Sequence, residues 1–133
     1  MPSRYCLVGL LLVLLAGCAG APVSPNAVVL DVDFQWQPAD RCATRSPEIR
    51  VTNLPVDTKL LRARLKDLDV PTWNHGGGEV AYSGSGVIPP GALRSGYNGP
   101  CPPSGTHRYQ FTVQALDAQG VVIGSGKQTH AFP

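Results

Sequence analysis

From Thr106 onward the chain alternates strictly: His107, Tyr109, Phe111, Val113 and Ala115 fall on one side of the backbone, and Arg108, Gln110, Thr112 and Gln114 on the other. A period of two is that of a β-strand with one buried and one wet face, and no helix sorts these residues in that way. The segment before it, Gly99-Pro100-Cys101-Pro102-Pro103-Ser104-Gly105, is a stiff loop. Its prolines fix their own φ and push the preceding residues toward extended backbone, so little entropy is lost when something docks against it. A histidine and a tyrosine therefore point inward at the mouth of a strand, behind a rigid loop, which is the outline of a small pocket.

The same reading extends along the chain. Val28, Leu30, Val32, Phe34 and Trp36 alternate with polar or smaller neighbours and predict a strand that ends at Pro38. Gln37 to Pro47 reads as a loop, and Glu48 to Thr52 as a short strand. Lys59 to Leu68 contains good helix formers. However, Leu61, Ala63 and Leu65 alternate with Arg62, Arg64 and Lys66, which favours a strand with a cationic outer face. His75-Gly76-Gly77-Gly78 reads as a flexible or positive-φ turn. Glu79 to Tyr82 and Val87-Ile88 are short strands. Val121 to Phe132 is a last strand, with a bulge or close backbone approach expected at Gly124 and Gly126. His130 reads as a surface residue. Many short strands, frequent turns and no amphipathic helix predict an all-β chain, a β-sandwich with few or no helices.

The first residues are set aside from the fold. Arg4 precedes the apolar run Leu7 to Leu15, which is shorter than the ~20 residues of a membrane span. Leu15-Ala16-Gly17-Cys18 resembles the lipobox of bacterial lipoprotein precursors. Residues 1–17 are thus expected to be a signal peptide, with 18–27 a lipidated start and tether and 28–133 the folded domain. Cys18 would carry acyl chains that hold the protein to a bilayer. The resemblance to lipoproteins with no aspartate after that cysteine, here Ala19, implies the outer membrane of a bacterial envelope. Of the 4 cysteines, Cys6 leaves with the signal and Cys18 is acylated, so Cys42 and Cys101 are expected to pair in an oxidising compartment. With no Cys-x-x-Cys pair, no metal or cofactor is expected. The formal charge of +2 comes without a basic block or interleaved aromatics, which removes nucleic acid as a partner.

The run from Gly99 to Tyr109, ending in His107-Arg108-Tyr109, resembles the ligand-site loop and strand of the phosphatidylethanolamine-binding protein family. Asp67-Leu68-Asp69-Val70-Pro71 is similar to that family's Asp-Pro-Asp-Ala-Pro segment, with Leu68 in place of the usual proline. Ser46-Pro47-Glu48-Ile49, followed by Asn53-Leu54-Pro55, is similar to the family's entry into an early strand. The echoes run in family order over residues 46–117; the family's His-Trp strand and its helical excursion are missing. The resemblance implies that fold, and an anion-accepting pocket made from Asp67, Asp69, Gly99, Pro100, His107 and Tyr109, with His75 as a further candidate.

In that pocket an imidazole and a free Gly99 N–H would donate to an anionic oxygen, and an aspartate would hold the histidine tautomer. The expected function is therefore that of an envelope lipoprotein binding a small anionic or phosphorylated ligand, with a phospholipid headgroup as one form. The other reading is a structural or partner-binding lipoprotein with a degenerate pocket, its protein partner unspecified. An enzyme is not expected: Ser83, Ser85 and Ser104 sit in turns without a Gly-x-Ser-x-Gly elbow.

Overall fold

A computed structural model describes residues 20–133; the signal-peptide reading of 1–17 and the acylation reading of Cys18 lie outside the described residues. The strands are β1 (Val23–Val29), β2 (Asp31–Phe34), β3 (Ile49–Thr52), β4 (Leu60–Asp67), β5 (Asn74–Ala81), β6 (Val87–Ile88), β7 (His107–Leu116) and β8 (Val122–Phe132). A single 3-10 turn, Pro38–Asp40, is the one helical element among the described residues. The larger sheet has the order β1-β8-β7-β4-β5 and the smaller one β2-β3-β6.

The alternation of β7 decides where the core sits. Tyr109, Phe111, Val113 and Ala115 are fully buried between the sheets, joined by Leu61, Ala63 and Leu65 of β4 and met from the smaller sheet by Phe34, Ile49, Val51 and Ile88. Phe34 sets its ring edge against Phe111 with centroids 4.9 Å apart. A fully buried side chain of this size contributes roughly 1.5–3 kcal/mol, so this row across β4 and β7 holds the two sheets together. The sheets stay open and face each other, as the all-β sandwich reading requires.

Four expectations are corrected. The stretch read as a tether is largely strand: β1 runs parallel to β8, with Val23 opposite Val122 and Val29 opposite Ser125. Its exposed side chains carry no alternation signal, and Pro25 is tolerated because a strand at a sheet edge need not donate on its open side. The single strand predicted through Val28 breaks at Leu30, where the chain leaves one sheet for the other and β2 pairs antiparallel with β3. The third correction concerns Gly76, Gly77 and Gly78, which lie inside β5 and not in a turn. A Cβ on Gly77 would strike the Ala63 carbonyl oxygen, and one on Gly78 would come 2.8 Å from the Leu93 Cα. These glycines let backbone pack on backbone: Gly77 and Ser95 exchange N–H···O bonds of 3.2 and 2.8 Å. His130 is half-buried, its ring edge-on to Phe34 at 4.7 Å, and so is not a free surface residue.

Candidate functional site

The end of β4, the start of β5, the start of β7 and the loop 98–101 meet at one end of the larger sheet. Register places Asp67 directly opposite Tyr109, with His107 one step away on the same face. Asp67 is completely buried, and every bond it accepts has a local cause. The turn after β4 brings the Asp69 and Val70 N–H groups onto Oδ1 at 2.8 and 2.9 Å. The strand pairing brings His107 Nδ1 to Oδ2 at 2.7 Å. Burial alone would raise this carboxyl's pKa; the hydrogen bonds from His107, Val70 and Asp69 outweigh it and hold it below the usual 3.8. The two groups expected to face each other therefore do so.

His75 lies 5.4 Å from Tyr109, ring centroid to centroid and edge-on, while His107 stacks against Tyr109 at 6.3 Å. Its Nδ1 donates to the Asn98 carbonyl at 2.9 Å, and the Asn98 N–H returns a bond of 3.0 Å to the His75 carbonyl. Because a carbonyl and a carboxylate only accept, both imidazoles carry hydrogen on Nδ1 and present Nε2. The Nε2 of His75 is buried and has no partner. Tyr109 is fully buried; its oxygen accepts the Cys101 N–H at 3.2 Å, and burial pushes its hydroxyl pKa up to about 12.

Beside His75 lies a hollow of about 400 Å³, walled by Trp73, Asn98, Gly99 and the Cys42–Cys101 disulfide, whose Cα atoms are 4.6 Å apart. This disulfide was expected and is formed. Trp73, Asn98 and Thr72 were not anticipated as lining residues. Trp73 precedes His75 by two positions, the spacing of neighbours on one strand face, and that signal was available in the sequence. The structure thus sorts the expected residues around Tyr109, with the Asp67–His107 pair to one side and His75, Gly99 and the hollow to the other.

Three of the expected residues do other work. Asp69 turns outward and clasps Arg108, accepting its backbone N–H at 2.7 Å and its guanidinium at 3.0 Å. That ion pair keeps the Asp69 carboxyl low. The Gly99 N–H is not free: it donates to the Ala43 carbonyl at 2.7 Å. Pro100 is buried, and its carbonyl accepts from the Cys42 N–H at 2.8 Å. Both bonds follow from the disulfide, which draws segments 42–43 and 99–100 alongside each other, a closure that loop composition alone does not reveal.

The sequence profile of the family described as phosphatidylethanolamine-binding protein matches residues 76–132. The chain is 34% identical over 91 residues to a UPF0098 protein of Methanothermobacter thermautotrophicus, covering 54% of this chain and 60% of that one. It is 37% identical over 84 residues to the UPF0098 protein YbhB of Escherichia coli, covering 57% and 43%. The matched segment thus spans 60% or less of the length of these two curated relatives. Among solved structures, a phosphatidylethanolamine-binding protein homologue from Chlamydia trachomatis superposes with a TM-score of 0.63 at 21% identity, covering 81% of this chain and 98% of that one. E. coli YbcL, described as a member of the mammalian family of that name, gives 0.59 at 20% identity, over 77% and 97%. These two likenesses establish the fold. Over residues 76–132 the chain is similar to the phosphatidylethanolamine-binding protein family, and its fold is that of the two solved homologues.

Proposed function

We propose that this chain is an envelope lipoprotein, anchored through Cys18, that binds a small anionic or phosphorylated ligand, a phospholipid headgroup among them, at the hollow between His75 and the Cys42–Cys101 loop. The reading is of binding and not of turnover, with no cofactor. One observation carries it. The His75 imidazole lines the hollow, is 97% buried by its 3% exposure, and leaves Nε2 unpaired. An orphaned buried nitrogen costs about 1–3 kcal/mol, a cost that a P–OH or ammonium donor of the ligand removes. His107, held in register by Asp67, presents a second Nε2 across Tyr109. The names of the family and of its solved members support phosphoethanolamine as a probe.

A specific observation favours the scaffold reading as second choice: Gly99 and Asp69 spend their polar groups internally. Titration separates the two. Phosphate and phosphoethanolamine, added to the Cys18→Ser chain on the order of millimolar, are expected to shift the amide resonances of His75, Gly99, His107 and Tyr109. No shift, or shifts confined to another part of the chain, would leave the scaffold reading. Anchoring is read from the same variant, which is expected to lose the incorporation of labelled palmitate that the parent chain shows.

A further inference from the structure

The outer face of the larger sheet, on the side away from the core, gathers cations in a regular array. Register places Arg62 beside Glu79, Arg64 beside Thr112 and through it Lys127, and Lys66 beside Gln110. Arg62 is paired with Glu79 at 2.7 Å, and Arg108, at the end of the face, with Asp69 at 3.0 Å. Among the described residues, Arg64, Lys66 and Lys127 have no carboxylate within ion-pair distance, and all three are exposed. Strand geometry sets Arg64 and Lys66 ~7 Å apart, with Lys127 ~10 Å across two strand spacings. At those separations, close to the Debye length in physiological salt, the three act as one field.

The low overall charge of +2 conceals this face, because Asp31, Asp33, Asp40, Glu48 and Asp57 lie elsewhere and offset it. Between the cations stand Gln110, Thr112, Gln114, Ser125 and Thr129, the last accepting from Gln110 at 3.0 Å. Single-stranded nucleic acid needs aromatic platforms, and a protein interface needs buried aromatic or apolar anchors; the positions between the cations supply neither. A bilayer headgroup layer needs only a broad positive field. At the rim, Val29 is 75% exposed and in register with Ser125, so it stands on this same face. It belongs to β1, the strand through which the chain enters the sheet.

We propose that the outer face of the larger sheet docks on anionic phospholipid bilayers, with Arg64, Lys66 and Lys127 against the phosphates and Val29 at the edge of contact. This surface is separate from the hollow beside His75 and does not depend on that hollow being a ligand site. The test uses the full chain carrying Cys18→Ser, floated with vesicles of phosphatidylcholine alone or mixed with phosphatidylglycerol. Any binding through residues 1–15, Arg4 included, is common to the parent chain and its variants, so the difference between variants isolates the face.

The expected result is tighter binding to the mixed vesicles, weakened by salt. That excess should fall about 100-fold in Arg64→Gln/Lys66→Gln/Lys127→Gln, at about fivefold per cation. Arg45→Gln/Arg50→Gln/Lys59→Gln, which removes the same charge elsewhere, should retain it. If the first triple variant unfolds, Lys127→Glu alone should lower the excess ~25-fold. Equal binding to both vesicles, or equal loss in both triple variants, overturns the proposal. So does an RNA duplex that binds more tightly than the vesicles and depends on the same three residues.

Discussion

Asp67 is the one buried carboxylate among the described residues, accepting from two backbone amides and one imidazole while shut off from water. Asp67→Asn keeps an acceptor for the amides but turns an NH2 toward the His107 Nδ1–H, so donor meets donor. A loss of about 1–3 kcal/mol in urea unfolding at neutral pH is expected. The pH dependence has a definite sign. The folded-state pKa is depressed, so the carboxylate's contribution is complete above the ordinary value of 3.8 and disappears as pH falls through the lower folded value. The gap between wild type and Asp67→Asn should therefore close in strong acid; a gap that stays constant down to pH ~2 would contradict it. The Asp67–His107 meeting was legible from the two segments and their family likeness. The occupation of the Gly99 N–H was not, since its partner Ala43 is reached only through a disulfide closure.

At the scale of elements, alternation located β4 and β7 almost to the residue, because each has one apolar face and sits in the middle of a sheet. It failed where side chains do not report the backbone's role. In β1 the pairing is main chain to main chain along an edge, and four of its seven side chains are not valine, which leaves no pattern to read. In β5 the glycines looked like slack, yet they are where the 93–96 segment presses onto the strand. Gly77→Ala tests this directly. A turn would tolerate the methyl, whereas here it meets the Ala63 carbonyl, and a loss of about 1–3 kcal/mol is expected. In a domain of this size each kcal/mol lowers the melting temperature by about 4–8 °C. His75 begins this same strand, so the variant should also weaken the phosphate response.

For the molecule as a whole, a modest core is supplemented by one covalent link. The Cys42–Cys101 bond closes 59 residues of chain, and that separation corresponds to about 4 kcal/mol in the chain-entropy treatment. Cys42→Ser/Cys101→Ser is expected to lose about 2–5 kcal/mol by urea unfolding, and to broaden or lose the phosphate-induced shifts at Gly99. Wild-type stability in the double variant would mean that the strands around β7 suffice. Next to Cys42, Arg41 lies over the Phe132 ring at 5.4 Å and bonds to the Pro133 carbonyl.

The enrolment of Val23–Val29 in the sheet has a practical outcome for anyone trimming this protein. A cut made at Val28, where composition invites one, would strip a border from β8 and bare a row of amide and carbonyl groups to the next molecule in solution. Such a fragment would be prone to stick edge to edge, and precipitation caused by the cut would pass for instability of the domain. Preparations that begin no later than Gly20 keep that hem sewn.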